Sequence, residues 1–230
     1  MNHAVILSGG VESRFGAQTP KQYIEVEDIP IWLYTFRIFS SYEDLDTIVF
    51  VLEDQWRDSV QRLICQENCH KTVLYAPAGK SRQHSILNGL RALKGTALPK
   101  DIVIIHDAVR PLLEHSIISE GITTCAQCDA VVPYVTVKDT VYLSSDGVSV
   151  GSLLPRDQLY AGQAPEFFKF GKYLAINEEA SDECLSATRG SVAIAFMAGC
   201  EVRLIKGSER NLKITTPEDL LTFKTILSKK

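Results

Sequence analysis

Short runs of apolar residues alternate along the chain with longer stretches in which apolar residues recur at helical spacing. Runs of the first kind are typical of buried strands, and the longer stretches of amphipathic helices. Alternation of the two predicts an α/β fold with a mostly parallel sheet and helices on both faces. The strands are predicted at residues 3–8, 47–52, 72–76, 101–106, 130–136 and 201–206, and the helices at about 30–40, 54–67, 81–94, 114–127, 167–177 and 217–228.

Residues 133–165 interrupt this alternation, because they are strand-like and rich in turns. Asp146-Gly147 between the apolar runs 141–143 and 148–150 predicts a β-hairpin. A hairpin that projects from a domain needs a partner surface to be stable. We therefore expect a β-arm that helps to build a homodimer, on a single domain spanning residues 1–230.

Composition narrows the class of protein. A chain of 230 residues with 45% apolar content can bury one sizeable core. Its net charge of −4 argues against a nucleic-acid partner, which leaves a basic footprint. No apolar run reaches the roughly 18 residues that span a membrane, and the first residues lack the pattern of a signal peptide. We expect a cytoplasmic enzyme or binding domain with no membrane partner.

Six cysteines raise the possibility of a metal or redox site. Cys125 and Cys128 form a C-x-x-C motif, and Cys65 and Cys69 lie next to His70. The first pair falls in a helix-like stretch without the tight turns that present metal thiolates. We expect reduced, partly buried cysteines, since free cysteine is among the most buried residue types.

A glycine-containing loop between Leu7 and Tyr23 directly follows the first predicted strand. Its glycines allow positive φ angles and a close approach of backbone N–H groups to an anion. Arg14 and Lys21 could then reach opposite sides of a phosphate chain. The spacing differs from both the P-loop and the dinucleotide-binding motif. The loop indicates another kind of nucleoside triphosphate site.

Asp107 and Arg110 lie in the motif His-Asp-Ala-Val-Arg-Pro after another predicted strand. A carboxylate beside a phosphate-binding loop suits Mg²⁺, which prefers one or two carboxylates plus substrate phosphates. The alternative is that Asp107 caps a turn and Arg110 forms a surface ion pair.

Two further segments carry candidate residues. In the turn from Gly79 to Ser85, backbone groups and a hydroxyl could read a base edge with Arg82 supporting the loop, although an ordinary helix start capped by Ser81 is also possible. Lys213 lies in an apolar run, where its charge requires an anion or a carboxylate. A substrate phosphate and a structural ion pair would each meet that need.

Six motifs in this order resemble the cytidylyltransferase family that includes the 2-C-methyl-D-erythritol 4-phosphate and D-ribitol-5-phosphate enzymes. The resemblance implies a Rossmann-like, glycosyltransferase-A-like nucleotidyltransferase fold and transfer of CMP from CTP, with Mg²⁺, to a sugar-alcohol phosphate. The motifs are the glycine loop ending in Pro20-Lys21-Gln22, Gly79-x-x-Arg82-x-x-Ser85, residues 106–111, Lys138-Asp139-Thr140, Arg156 followed by Gln163-x-Pro165, and residues 211–219.

The resemblance also implies residue roles. Thr140 and Arg156, on the arm, would reach the acceptor site of the neighbouring subunit. The implied catalytic residues are Arg14, Lys21 and Lys213, the CTP-binding residues are Ser8, Gly9, Gly10, Arg14, Lys21, Gly79, Arg82 and Ser85, the acceptor-binding residues are Asp107, Arg110, Thr140, Arg156 and Lys213, and the Mg²⁺ ligand is Asp107.

The implied reaction agrees with these residue types. The acceptor phosphate attacks the α-phosphorus of CTP and pyrophosphate leaves. A phosphate monoester has a second pKa near 6, so it is a dianion at neutral pH and needs no general base. Positioning and charge neutralisation therefore carry the catalysis, which cations and one metal-binding acid can supply.

Three residues depart from the family pattern. Glu12 replaces a usual glycine and places a negative charge beside a triphosphate. Ala164 and Glu166 replace the threonine and glutamine of the usual Gln-Thr-Pro-Gln. Either Glu12 points away from the phosphates or nucleotide binding is weakened or retuned.

The acceptor is inferred from resemblance alone. Val109 and the segment from Pro155 to Gln163 look more like the ribitol phosphate branch, which would imply cell-wall or capsule polymer synthesis. Methylerythritol phosphate, the alternative, would imply isoprenoid precursors.

Two alternative functions belong to other classes of protein. The α/β alternation fits a nicotinamide-dependent oxidoreductase. However, this sequence lacks the glycine spacing and the ribose-binding acid that such an enzyme requires. A non-catalytic nucleotide-sensing protein is the second, motivated by Glu12, and it would bind CTP without releasing pyrophosphate.

Overall fold

In the computed structural model, the described residues are 1–10 and 19–229, and they form strands and helices in alternation. The strands are β1 (Asn2–Leu7), β2 (Glu25–Val26), β3 (Ile29–Pro30), β4 (Thr47–Leu52), β5 (Thr72–Pro77), β6 (Ile102–Asp107), β7 (Ala130–Thr136), β8 (Val141–Leu143), β9 (Ser152–Leu154), β10 (Tyr160–Gly162), β11 (Glu166–Lys169) and β12 (Val202–Lys206). The helices are α1 (Ile31–Ser40), α2 (Asp54–Gln66), α3 (Arg82–Ala92), α4 (His115–Cys125), α5 (Phe170–Glu179), α6 (Asp182–Ala187), α7 (Ser191–Met197) and α8 (Pro217–Leu227).

The central sheet has the strand order β10-β7-β11-β6-β1-β4-β5, and β12 also pairs with β7. In the part β6-β1-β4-β5 of this order, neighbouring strands are parallel. Strand β11, in contrast, runs antiparallel to both β6 and β7. Every residue of β4 and of β6 is buried, as expected for strands covered on both faces. The prediction of a mostly parallel α/β sheet is confirmed.

Two apolar clusters lie on the two faces of this sheet. Alternate residues of β1 divide between them, with Ala4 and Ile6 in one cluster and Val5 in the other. The first cluster includes residues of α1, α2 and α4, and the second includes residues of α3 and α5. This arrangement leaves the loops that follow the parallel strands free to form a site at one edge.

The predicted helix at 167–177 is wrong at its beginning. Residues 166–169 form strand β11, and α5 begins only at Phe170. Phe167 and Phe168 belong to the two different apolar clusters, because successive side chains of a strand point to opposite faces. The short helices α6 and α7 are not among the predicted helices.

The β-arm differs from the predicted hairpin in its second strand. β8 pairs with β9 at residues 152–154, not with 148–150. The Asp146 carboxylate accepts hydrogen bonds from the N–H groups of Val148 and Ser149, and these bonds hold residues 146–149 in a turn instead of a strand. Several large apolar side chains of the arm are exposed: Tyr142, Leu143, Val148, Val150 and Leu153.

The cysteines are all free. Cys125 and Cys128 are buried near the end of α4, where burial raises the pKa of the Cys125 thiol to about 12. Within residues 1–10 and 19–229, no three His, Cys, Asp or Glu side chains cluster in a way that could hold a metal ion. The helices in this part of the chain are all too short or too polar to span a lipid bilayer.

Candidate active site

The carboxyl ends of β1, β5 and β6 meet at one edge of the sheet, and the loops that follow them form the candidate site. Asp107 is the last residue of β6, and it lies in register with Leu7 at the end of β1. Gly9 and Gly10 follow β1, and Gly79 follows β5. Parallel strands thus bring three segments that are far apart in the sequence to one place.

The first of two adjoining cavities, which we call the nucleotide cavity, has a volume of about 400 Å³. It brings together eight of the residues predicted for the site, while Ser8 is buried and is not among the lining residues. The eight are Gly9, Gly10, Lys21, Gly79, Arg82, Ser85, Asp107 and Lys213.

Close backbone packing shapes this cavity. A Cβ atom added to Gly9 would lie 2.4 Å from the Cβ of Ala78, and one added to Gly79 would lie 2.4 Å from the Cβ of His84. Real Cβ atoms do not approach so closely, so both positions require glycine. The N–H of Gly79 donates a hydrogen bond to Oγ of Ser85 at 2.9 Å, which fixes the loop on the first turn of α3.

Gln22, which is not among the predicted site residues, holds the beginning of the glycine loop. Its Nε2 donates hydrogen bonds to the carbonyl oxygens of Ser8 at 2.7 Å and Gly10 at 3.0 Å. Gln22 is buried and lines the nucleotide cavity beside Lys21. The signal in the sequence was its place directly after Lys21 in the motif Pro20-Lys21-Gln22.

Asp107 is the electrostatic centre of the site. Its Oδ1 lies 3.1 Å from Nη2 of Arg82, and its Oδ2 lies 3.0 Å from Nζ of Lys213 and 3.6 Å from Nε of Arg110. Burial would raise the pKa of this carboxyl, but the three cations outweigh burial and hold its pKa well below the ordinary value. Asp107 is therefore ionised at neutral pH.

The second cavity, which we call the acceptor-side cavity, has a volume of about 440 Å³ and shares Arg82, Asp107 and Lys213 with the first. Arg110 also lines it, and Nη1 of Arg110 donates a hydrogen bond to the carbonyl oxygen of Asn211 at 2.7 Å. Its other lining residues are Val132, Gly162, Gln163, Ala164, Glu166, Arg189, Gly190, Val192 and Ala193.

Glu166 is a second buried carboxylate on this cavity. It accepts a hydrogen bond from Oγ of Ser191 and another, at 3.2 Å, from the N–H of Val192, and its Oε2 lies 3.5 Å from Nη2 of Arg82. Burial raises the pKa of this carboxyl, and Arg82 opposes that effect. Arg82 thus lies between two carboxylates, those of Glu166 and Asp107. In the sequence, Glu166 stands out only as a departure from the family pattern.

The remaining predicted residues are either outside the described part of the chain or outside both cavities. Arg14 and Glu12 fall at positions 11–18, outside the described residues. Thr140 and Arg156 are exposed on the arm and line neither cavity, and Nη1 of Arg156 donates a hydrogen bond to the carbonyl oxygen of Lys138 at 2.9 Å. A single chain therefore does not bring these two residues to its own site.

The carboxylate oxygens of Asp107 fit a magnesium ion that takes most of its ligands from phosphates and water. Arg82 occupies Oδ1, while Oδ2 accepts from Lys213, and Nε of Arg110 at 3.6 Å is too distant for a strong hydrogen bond. A carboxylate oxygen has two lone pairs, so Oδ2 keeps one available for a cation. Mg²⁺ needs only one or two protein carboxylates beside substrate phosphates.

This arrangement of glycine-rich backbone, cations and one ionised acid at the strand ends is that of a nucleotidyltransferase. The chain belongs to the IspD family, described as 2-C-methyl-D-erythritol 4-phosphate cytidylyltransferase, whose model matches residues 2–229. Its members are CTP-dependent cytidylyltransferases, so the chain is an enzyme that uses CTP and a sugar phosphate. The interpretation as a nicotinamide-dependent oxidoreductase is excluded.

Individual relatives carry two different names. The chain is 32% identical over 227 residues to a ribitol-5-phosphate cytidylyltransferase of Streptococcus agalactiae serotype Ia, covering 98% of this chain and 95% of the relative. It is 34% identical over 229 residues to a 2-C-methyl-D-erythritol 4-phosphate cytidylyltransferase of Geobacillus thermodenitrificans, covering 99% and 98%.

Solved structures show the same fold. The 4-diphosphocytidyl-2C-methyl-D-erythritol synthase of Anaerococcus prevotii superposes with a TM-score of 0.83 at 23% identity, covering 99% of this chain and 98% of that one.

Proposed function

We propose that this cytidylyltransferase transfers CMP from CTP to D-ribitol 5-phosphate and forms CDP-ribitol and pyrophosphate. The observation that carries the proposal is the meeting of two cavities at Arg82, Asp107 and Lys213. Two highly negative substrates must be brought into contact for this reaction. A shared wall with two cations and one metal-binding acid suits that purpose.

The nucleotide cavity is proposed to bind CTP. Lys21 would contact the triphosphate and stabilise charge that develops at the α-phosphorus, together with Arg14 from the loop. The backbone of Gly9 and Gly10 can approach the phosphates closely because neither residue has a side chain. Gly79 and Ser85 would face the cytosine, and their mutual hydrogen bond gives that wall a fixed shape.

The acceptor-side cavity is proposed to bind the acceptor phosphate. Arg110 and Lys213 line it, and both lie near Oδ2 of Asp107, which holds their charged groups at the boundary between the cavities. A phosphate bound there would present an oxygen toward the nucleotide. Since the phosphate is already a dianion at neutral pH, the site needs no side chain that accepts a proton.

Asp107 is proposed to hold Mg²⁺ together with phosphate oxygens of CTP. When bound, the ion would neutralise charge on the triphosphate. Asp107 also orients Arg82 and Lys213 in the geometry described above, so its contribution includes the positioning of both cations.

The choice of D-ribitol 5-phosphate is supported by Val109 and by the segment from Pro155 to Gln163, which look more like the ribitol phosphate branch. Relatives named for ribitol 5-phosphate and for 2-C-methyl-D-erythritol 4-phosphate match at similar identity. 2-C-Methyl-D-erythritol 4-phosphate is therefore the alternative acceptor. A ribitol product would supply the synthesis of a cell-wall or capsule polymer.

The arm is proposed to form a homodimer. Tyr142, Leu143 and Leu153 are more than half exposed on a small two-stranded sheet, which leaves apolar surface for a second copy to cover. Arg156 and Thr140 lie on the same arm, away from both cavities of their own chain. In a dimer they would reach the acceptor-side cavity of the partner.

The proposal is tested by initial rates of pyrophosphate release with CTP and Mg²⁺, using each of the two acceptors in separate titrations. We expect kcat/KM for D-ribitol 5-phosphate to exceed that for 2-C-methyl-D-erythritol 4-phosphate at least tenfold. The reverse ratio would assign the alternative acceptor. Equal values would contradict discrimination by the acceptor-side cavity.

A further inference from the structure

Arg189 differs from the other cations of the acceptor-side cavity. It lines the cavity and is exposed, and it has no ion pair or hydrogen bond with any side chain of residues 1–10 and 19–229. It lies in the turn that precedes α7. None of the motifs that indicated the site contains it.

The inner cations are already partly neutralised. Arg82, Arg110 and Lys213 all pair with Asp107, and Arg82 also contacts Glu166. Three positive charges thus share two buried carboxylates. A phosphate dianion that enters this cavity would gain only part of the attraction of each inner cation. Arg189 adds a positive charge that forms no ion pair with any described carboxylate.

The turn that carries Arg189 is anchored at the wall of the cavity. Gly190, which directly precedes α7, has φ +92°, a left-handed conformation that favours glycine. Immediately after it, Ser191 Oγ and the N–H of Val192 both donate hydrogen bonds to Glu166. The buried carboxylate therefore fixes the backbone next to Arg189, and this gives Glu166 a structural purpose at the position where the family usually has glutamine.

We propose that Arg189 binds the phosphate of the acceptor, as a cation supplied by the same chain at the mouth of the acceptor-side cavity. This inference rests on the proposed function, because it takes that cavity as the acceptor site. The bound group is a phosphate monoester dianion. The guanidinium contributes charge-assisted hydrogen bonds to two of its oxygens. Glu166 is the positioning residue for the turn that presents it.

The test compares the wild-type enzyme with Arg189→Gln, Arg189→Lys and the control Arg62→Gln on the exposed face of α2. Loss of one charge-assisted contact is expected to raise the acceptor KM about tenfold in Arg189→Gln. The KM for CTP should stay within twofold. Arg189→Lys should recover part of the loss because it restores the charge, and Arg62→Gln should match the wild type.

An unchanged acceptor KM in Arg189→Gln, or an equal rise in the KM for CTP, would overturn the inference while leaving the proposed function intact. If the wild type releases pyrophosphate with neither acceptor, the proposed function itself fails. Arg189 is then tested by isothermal titration with inorganic phosphate. Weaker phosphate binding in Arg189→Gln than in Arg62→Gln would support an anion site at Arg189, and equal binding would overturn it.

Discussion

The two cavities are built in different ways. The nucleotide cavity depends on backbone shape, since Gly9 and Gly79 lie where any Cβ would collide with a neighbour. The acceptor-side cavity depends on charged side chains, since Arg110, Glu166 and Arg189 come from separate segments. A wall formed by the backbone suits a substrate that stays the same, here the nucleotide. A wall formed by side chains can be altered residue by residue to change the acceptor.

Removal of a shared residue should damage both cavities and give the largest effect. Lys213→Ala takes away a cation that lines both cavities and pairs with Asp107. We expect kcat to fall by about 10²-fold or more, the usual scale for a lost charge-stabilising donor. Steady-state kinetics against the control Lys224→Ala, an exposed lysine on α8, provide the measurement. A near-normal kcat would mean that Lys213 has only a structural role.

A change of backbone shape should affect the nucleotide cavity alone. Gly79→Ala places a Cβ 2.4 Å from the Cβ of His84 and 2.7 Å from the backbone nitrogen of Ser85, so the loop must shift. We expect the KM for CTP to rise about tenfold or more, because misplacement of a binding wall by about 1 Å is costly. The acceptor KM should change little. Equal rises in both KM values would show that the two walls are not independent.

The arm should affect the acceptor side only, and it should do so across the dimer. Arg156→Ala is expected to raise the acceptor KM about tenfold while CTP binding stays intact, as for one lost charged contact. Mixing Arg156→Ala with Lys213→Ala gives a sharper test, because a mixed dimer contains one site with both residues intact. At acceptor concentrations well below KM, where Arg156→Ala alone keeps about a tenth of the wild-type rate, random exchange of subunits in an equal mixture should restore about a quarter of the wild-type activity.

Two observations would count against this role of the arm. The first is a failure of the mixture to exceed the sum of its components although subunits exchange. The second is a monomer at micromolar concentration in sedimentation analysis. Either result would contradict a contribution of Arg156 to the acceptor-side cavity of the partner.

The smallest effect is expected at Glu166. Glu166→Gln keeps the shape of the side chain but removes the charge that accepts hydrogen bonds from Ser191 and Val192 and attracts Arg82. We expect the acceptor KM to rise by about threefold to fivefold, because neutral hydrogen bonds replace charged ones. The KM for CTP and the midpoint of thermal unfolding should stay close to those of Glu179→Gln, an exposed control on α5. A larger change in the KM for CTP would instead assign Glu166 to the nucleotide side.

The sequence predicted the parts of the site that arise from local order. Gly79 and Asp107 each follow a buried strand, and parallel strands place such residues at a common edge. The strand β11 was missed because its four residues resemble the beginning of the helix that follows. Pairing with β6 and β7, which are distant in the sequence, decides its structure.

The contacts on the acceptor side could not be predicted, because they join residues that are far apart in the chain. Glu166 meets Ser191 and Arg82, and neither pairing has a signal in local spacing. Arg189 has no motif around it, and its place on the cavity results from the turn at Gly190. The sequence around Lys213 allows either a phosphate contact or a structural ion pair. In the structure Lys213 pairs with Asp107 and lines both cavities.

The most direct test of CMP transfer follows the α-phosphorus of CTP. The enzyme is incubated with CTP labelled at the α-phosphate, Mg²⁺ and D-ribitol 5-phosphate, and the products are separated. We expect the label to move into CDP-ribitol in equal amount to the pyrophosphate released. Tight binding of CTP with the label remaining in CTP, with either polyol phosphate present, would contradict it and would favour a protein that senses the nucleotide without using it.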